Sequence, residues 1–343
     1  MEVKVLALTM GDPSGIGPEI VARTAWEMRG REDVIPLVVG DRVVVEEALS
    51  LLGLDLEVEA VTEGEVSSLR RNEGRLYLLD CALYRSGLGL EKGRVSPTSG
   101  RAAFEFIRRG VELCRRGLSM ALVTAPINKE AIKAAGIPFI GHTEMLMELG
   151  GVRRNMTMFV VDGLKIFFHS RHVSLRRAIE ELNAEGLHRS ILMACACMRA
   201  LGFSGFKLAV AALNPHASDG GLLGDEESLH ISPAVERARA EGLDVVGPIP
   251  ADSVFHMGLT GVFDAVLSLY HDQGHIAAKT YDFYRTVSVT LGMSFLRTSV
   301  DHGTAFDIAW KGLANHTSML EATLKALELA PRYDQTPLIP LVS

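Results

Sequence analysis

The chain has 343 residues, 48% of them hydrophobic and 22% charged, with a formal net charge of −7 at pH 7. This composition supports a packed core and excludes global disorder, and the length predicts two domains or one large α/β unit. The acidic balance argues against a nucleic-acid footprint, which needs a basic face. No apolar run approaches the roughly 20 residues of a membrane helix, and MEVKVLALTM lacks the apolar region of a signal peptide. The expectation is a cytoplasmic protein with no nucleic-acid or membrane partner.

In chain order, Val3–Met10 predicts a buried strand, GDPSGIGP a turn, and Pro18 the first turn of a helix, where proline is well placed. Ile35–Val39 predicts a strand, Asp41–Leu52 a helix and Arg75–Leu79 a short strand. In SPTSGRAAFEFIRRGVELCRRG, Ala103, Phe106, Ile107, Val111 and Leu113/Cys114 recur at helical spacing, with arginines in the last turn. Ala121–Thr124 predicts a strand, and His142-Thr143 opens a helix in GHTEMLMEL with Thr143 as N-cap. MTMFVVDGLKIFFHS reads as two strands joined by Asp162-Gly163, the strongest short hairpin signal. Helices within Ser174–Leu201, a strand Lys207–Ala212, a helix near Glu226–Glu241 and a strand at Asp244–Val246 follow. Ala265–Leu269 and Thr286–Leu291 predict further strands, and Ser318–Leu329 a helix. Strands alternating with helices predict an α/β fold, and the hairpin makes the sheet mixed. No repeat or low-complexity linker marks a domain boundary. Cys81, Cys114, Cys195 and Cys197 form no C-x-x-C pair and read as small buried hydrophobes of a reducing compartment.

GDPSGIGPE follows a strand and opens a helix, the place for a phosphate cradle, yet its details disagree. A P-loop needs Gly-Lys-Ser/Thr where Gly17-Pro18-Glu19 stands, and G-x-G-x-x-G fails at Ile20. Glu19 would repel a phosphate there. The loop reads as a tight glycine turn, with a polar role open to Asp12 and Glu19. His172 in FFHSRHVSL, His216 in LNPHASDGG and His271 in LYHDQG each stand where a hydrophobic strand gives way to a loop. That is where α/β enzymes place their sites. Singly, each is a hydrogen-bonded structural histidine; three in equivalent positions point to a divalent-metal site with open positions for substrate. His169 and His275 compete for the same role. Lys279, Arg285, Arg297 and the helix start at His142-Thr143 make either a phosphate or carboxylate clamp or a solvated basic edge.

Taken together, MGDPSGIGPE, TAPINKE, GHTE, LNPH, YHDQG and RTSVDHGTAFDIA occur in this order over nearly the whole chain. The set resembles the family of 4-hydroxythreonine-4-phosphate dehydrogenase, the pyridoxine-biosynthesis enzyme. VDHGTAFDIAWKGLANHTS also resembles the cofactor loop of isopropylmalate dehydrogenase. The resemblance implies an isocitrate/isopropylmalate dehydrogenase-like fold: two α/β/α domains with a mixed sheet, an interdomain cleft, and a homodimer that shares its active site. On that frame, residues 1–125 plus 300–343 form the first domain. Residues 126–299 form the second, with the metal and phosphate ligands and dimer contacts.

The family's metal-binding histidines match His172, His216 and His271, holding one divalent ion (Zn, Mg, Mn or Co), with one histidine supplied by the partner subunit. Its substrate-phosphate ligands match His142, Thr143, Lys279 and Arg297, and Ser288 stands where the family has asparagine, a shorter side chain with one hydroxyl. NAD is implied at His302, Gly303, Thr304, Ala305 and Asp307. The Asp307 carboxylate would accept from both ribose hydroxyls and repel a 2′-phosphate. Lys129 and Asp272 are the alternatives for proton acceptor, and Asp272 is equally placed to orient a ligand histidine. HIAAKTYDFYRTVSVTLG, with His275, Ala277-Ala278 and Ser288, looks closer to a branch that oxidises 4-phospho-D-threonate or 4-phospho-D-erythronate in sugar-acid catabolism. The implied reaction is NAD- and metal-dependent oxidative decarboxylation of a 4-phosphorylated 3-hydroxy acid. The alternatives are the pyridoxine enzyme itself and a non-catalytic binder of a phosphorylated metabolite. A more distant branch acts on an aromatic cis-dihydrodiol carboxylate that has no phosphate for the clamp to hold.

Overall fold

The computed structural model of the protein describes residues 4–84, 89–139 and 141–342; Val3, the expected first residue of the first strand, lies outside them. The elements run β1 (Lys4–Thr9), α1 (Gly17–Met28), β2 (Val34–Gly40), α2 (Arg42–Leu52), β3 (Glu57–Val61), β4 (Arg75–Asp80), α3 (Pro97–Arg115), β5 (Ala121–Thr124), α4 (Lys129–Ala134) and α5 (His142–Gly150). They continue with β6 (Met156–Val161), β7 (Leu164–Phe168), α6 (Leu175–Glu180), α7 (Ala184–Ala200), β8 (Leu208–Ala211), α8 (Ser232–Ala240), β9 (Val245–Ile249), α9 (Ala251–Leu259), β10 (Ala265–Ser268) and α10 (His271–Tyr281). The last are β11 (Val287–Leu291), β12 (Leu296–Ser299) and α11 (Thr317–Leu329).

Two compact units divide the chain: one runs to Arg153 and resumes over Met293–Pro331, the other spans Arg154–Gly292 and takes the chain end from Arg332. The division expected from sequence, at 125/126 and 299/300, differs from these bounds. Residues 126–153 and 293–299 pack with the first unit, and the C-terminal return from Arg332 packs with the second. With no change of composition at either crossing, packing alone sets the boundary.

In the first unit every strand pair is parallel, in the order β3-β4-β2-β1-β5-β12. Helices on both faces of such a sheet demand continuous apolar strands. Leu6, Ala7 and Leu8 of β1 and Leu37, Val38 and Val39 of β2 are accordingly fully buried. From β1 the sheet extends one way through β2 and the other way through β5, so the loops leaving β1, β5 and β12 emerge along one edge at a switch point, where open α/β sheets bind ligands. The stripe expected on α3 is buried, including Ala103, Phe106, Ile107 and Val111.

The second unit is mixed, in the order β11-β6-β7-β10-β8-β9. β11, β6 and β7 pair antiparallel, and β7, β10, β8 and β9 pair parallel. The β6–β7 hairpin turns at Asp162-Gly163, with Asp162 at φ 52° as a primed turn requires. Phe159, Ile166, Phe168 and Val266 build its core.

Several elements differ from the sequence-based reading. The predicted helix near Glu226–Glu241 is a π turn over Glu227–Ile231 followed by α8. The N-cap of α5 is Gly141, which places Thr143 inside the helix instead of capping it. β3, β12, α4 and α9 lack a sequence signal. β3 (EVEAV) is a half-exposed edge strand, and β12 (LRTS) carries a buried arginine in four residues. No helix among the described residues is long and apolar enough to cross a membrane.

Candidate active site

At the strand-end edge of the first unit, the glycine-rich loop after β1 holds protein. The buried Glu19 carboxylate accepts from the backbone N–H of Gly312 (2.7 Å) and of Trp310 (3.2 Å). The Trp310 indole N–H donates to the Pro13 carbonyl at 2.9 Å, and the Ile16 N–H to the Thr304 carbonyl at 3.0 Å. A Cβ on Gly15 would lie 2.8 Å from the Thr304 carbonyl oxygen, and one on Gly17 would collide with the Met10 carbonyl. Gly15 therefore permits close approach of the segment from Thr304 to Gly312, Gly17 lets the loop fold back on Met10, and Glu19 fastens the segment. Of the expected cofactor residues in that segment, Thr304 is buried, His302 and Ala305 are half-buried, and Gly303 and Asp307 are exposed. An exposed carboxylate held on a braced loop fits a ligand that offers hydroxyl donors.

Asp12, in the same loop, is fully buried. Its Oδ1 accepts from the Ser14 N–H at 2.8 Å, Oδ2 has no hydrogen-bond partner, and burial pushes its carboxyl up to about 6.

A cationic cluster forms at the start of α5. His142 is its first residue, and its Nε2 is buried without a hydrogen-bond partner. Burial first, then the charges of Arg297 and Lys129, hold this imidazole well below the usual histidine range. Arg297, buried on β12, donates to Thr124 Oγ1 from Nε (3.0 Å) and Nη2 (2.6 Å), and burial lowers it to about 9. Lys129 opens α4, and its Cε would lie 3.5 Å from a Cβ on Gly141. A guanidinium, an ammonium, an imidazole and a helix N-terminus gathered in this way have the donor chemistry that suits an anion. Thr143 is the second residue of α5 and is half-buried.

In the second unit, β7, β10 and β8 are parallel neighbours, and their carboxyl ends lead to His172, His271 and His216 respectively. Backbone bonds join the first two exits: His169 N–H to the Ser268 carbonyl (2.8 Å) and Ser170 N–H to that of Leu269 (3.2 Å). Gln273 joins β10 to β8, accepting from the Leu269 N–H at 2.7 Å and donating to the Ala212 carbonyl at 2.8 Å. His172 and His271 line a cavity of about 280 Å³ with Arg171, Val173, Tyr270 and Asp272, and their ring centroids are 6.1 Å apart. His271 Nδ1 lies 2.6 Å from Asp272 Oδ1. A carboxylate accepts only, so Nδ1 donates to it, and in the neutral imidazole Nε2 is then the nitrogen with the lone pair, the arrangement of an oriented metal ligand.

His275 is turned to another use: its Nδ1–H donates to the His271 carbonyl (2.8 Å), and its ring stacks on that of His271 at 3.6 Å. His169 is engaged through Nδ1 with Ser190 Oγ at 2.9 Å.

His216 is exposed and begins a left-handed turn in which His216, Ala217, Ser218, Asp219 and Gly220 all have φ between 50° and 71°. Such a turn costs roughly 1–2 kcal/mol for each residue other than glycine, and backbone of this kind clusters at functional sites. Among the described residues, no group of three or more His, Cys, Asp or Glu side chains gathers to hold an ion within the chain. The donor chemistry of His172 and His271 fits a divalent cation, with further ligands needed from elsewhere. Lys279 lies on α10 with Nζ 5.1 Å above the Phe283 ring, and Ser288 is buried on β11 in register with Phe159. Both belong to the second unit, whereas His142, Thr143 and Arg297 belong to the first. The expectation that one domain carries all the phosphate ligands therefore does not match the units. Sequence reasoning missed Gln273, Thr124 and Glu227 and left Glu19 without a task, because their partners are backbone groups or neighbours distant in sequence.

A family model described as pyridoxal phosphate biosynthetic protein PdxA matches residues 32–326. A protein of Fusobacterium nucleatum named as a candidate D-threonate 4-phosphate dehydrogenase is 46% identical over 328 residues, covering 96% of this chain and 98% of its own. The crystal structure of 4-hydroxythreonine-4-phosphate dehydrogenase from Klebsiella pneumoniae superposes with a TM-score of 0.86 at 37% identity, covering 95% of this chain and 99% of that one. A terephthalate 1,2-cis-dihydrodiol dehydrogenase from Burkholderia xenovorans gives 0.64 at 25% identity, over 95% and 98%. By the family match over most of its length and by these relatives, the chain belongs to the PdxA family and is an oxidoreductase of the dehydrogenase type.

Proposed function

We propose that this dehydrogenase oxidises the C3 alcohol of a 4-phosphorylated 3-hydroxy acid, 4-phospho-D-threonate or 4-phospho-D-erythronate, with NAD and one divalent metal ion. The observation that carries this reading is the cluster of His142, Lys129 and Arg297 at the start of α5. A buried guanidinium beside an imidazole nitrogen that has no hydrogen-bond partner suits a dianionic group, and a phosphate remote from the reacting carbon provides binding energy for orientation. The Fusobacterium relative is named for a phosphorylated hydroxy acid, as is the Klebsiella enzyme. The catabolic substrate is preferred because the more similar of these two relatives is named for threonate. The pyridoxal phosphate pathway substrate is the second reading, favoured by the family description.

In this reading His172, His216 and His271 are the metal ligands, and Asp272 orients His271 through Nδ1. Lys279, Ser288 and Thr143 add substrate contacts. His302, Gly303, Thr304, Ala305 and Asp307 hold the cofactor, with the Asp307 carboxylate taking ribose hydroxyls and rejecting a 2′-phosphate. When bound, the ion supplies a Lewis acid for the alcohol oxygen and the nicotinamide a hydride acceptor. Asp272 is committed to His271, and Lys129, the other candidate for accepting the alcohol proton, would do so only as the neutral amine, having first given up the proton of its ammonium form. The oxidised product is a β-keto acid, which loses its carboxylate as CO₂. We further propose that a second copy completes the metal site. The exposed large apolar side chains fall mostly in the second unit, among them Leu222 (85% exposed), Ile276 (63%), Leu229 (56%) and Leu175 (55%).

The test is NADH formation measured side by side on 4-phospho-D-threonate, 4-phospho-D-erythronate and 4-phosphohydroxy-L-threonine, in wild type and Arg297→Ala. The expected result is turnover of a phospho-sugar acid, with KM raised ~100-fold or more in the variant and kcat changed far less. Equal KM in both proteins would refute the phosphate receptor. Turnover of phosphohydroxythreonine alone would transfer the enzyme to the second reading.

A further inference from the structure

We propose that Glu227 is the positioning residue of the His216 loop, holding its stem so that the left-handed turn presents His216 to the divalent ion. This rests on the reading of His216 as a metal ligand. Six consecutive residues, from His216 to Gly221, stand at positive φ, a backbone that costs energy at each residue other than glycine. The Ala217 N–H bonds to the Asn214 carbonyl (3.2 Å), and the N–H groups of Leu222 and Leu223 both go to the Ser218 carbonyl, the latter at 3.1 Å. A turn of that kind relaxes unless its ends are held from outside.

Glu227 holds the N-terminal end. Its Oε1 accepts from the N–H of Leu213 (2.8 Å) and of Asn214 (2.7 Å), and its Oε2 from the Asn214 side-chain amide (2.8 Å). The Glu227 side chain is 3% exposed, and its two oxygens are satisfied by these N–H donors. The same Asn214 amide also donates to Glu226 Oε2 at 2.7 Å. The far stem of the loop closes on it too: a Cβ on Gly224 would lie 2.5 Å from Asn214 Nδ2. Asn214 thus links both stems, and Glu227 fixes Asn214. Glu227 also opens the π turn Glu227–Ile231, a rare departure that recurs where a helix serves a site. Two of its acceptor bonds go to the backbone immediately before Pro215-His216, so a shift of the carboxylate moves the histidine directly.

The test compares Co(II) binding, followed by visible absorption of the purified full-length protein, in wild type, Glu227→Gln, Glu227→Ala and His216→Ala, with thermal unfolding of each. Glu227→Gln retains an acceptor for the two backbone N–H groups but sets an NH₂ against that of Asn214. The expected order is a ~10-fold loss of Co(II) affinity in Glu227→Gln and ~100-fold in Glu227→Ala, with an altered ligand-field band in both. If Glu227→Ala does not fold, Glu227→Gln alone decides. Folded Glu227 variants that bind Co(II) as wild type does, while His216→Ala has lost it, would overturn the role of Glu227. His216→Ala binding Co(II) unchanged would overturn the metal reading beneath it.

Discussion

Asp12 shows how one residue sets a pH response. Burial raises its carboxyl from 3.8 to about 6, so the folded chain binds that proton more tightly than the unfolded chain. Its contribution to stability is therefore complete below about pH 4, declines as pH rises towards 6, and stays lost above, a swing of about 3 kcal/mol. Asp12→Asn keeps an acceptor for the Ser14 N–H and removes the titration. Urea midpoints should then coincide for the two proteins near pH 4, with the variant more stable at pH 8. Parallel pH profiles would show that Asp12 does not titrate in this window. The same physics acts on His142, whose imidazole stays neutral beside Arg297 and Lys129.

Gly15 in GDPSGIGPE works at the scale of elements, letting the loop before α1 close on Thr304 of the segment that runs to Gly312. The brace is Glu19, whose carboxylate takes the N–H groups of Trp310 and Gly312. Glu19→Ala leaves one buried and one part-buried donor unpaired, a cost of about 1–3 kcal/mol from the buried one. Glu19→Gln preserves one acceptor and should fall between. Both are expected to weaken NADH binding, followed by fluorescence titration, more than they disturb Co(II) binding in the second unit. Equal effects on the two ligands would mean a general loss of folding. The short β12 is a comparable case: it carries Arg297 into the sheet, and Thr124 on β5 anchors the guanidinium.

For the molecule as a whole, the proposed metal site requires a second copy. Sedimentation equilibrium should give twice the monomer mass, and Co(II) affinity should fall as the protein is diluted into the monomer range. A monomer that binds Co(II) with full affinity would remove the shared site. Much of the fold was legible before any coordinates. Continuous apolar runs marked β1, β2 and β5, the 3.6-residue period marked α3, and Asp162-Gly163 marked the hairpin, because each signal is local and burial dictates it. His172, His216 and His271 were likewise visible as polar residues following apolar strands. Strand order is not local, and it alone places those three exits side by side on β7, β8 and β10. The unit boundaries, the left-handed turn at His216, and the tasks of Glu19, Gln273 and Glu227 were also hidden. Each depends on backbone donors or packing brought together from distant parts of the chain. The sequence by itself determined which residues are apolar, which turn and which carry chemistry; the tertiary structure decided which of them meet, because a hydrogen bond or a packed contact has no register in sequence separation.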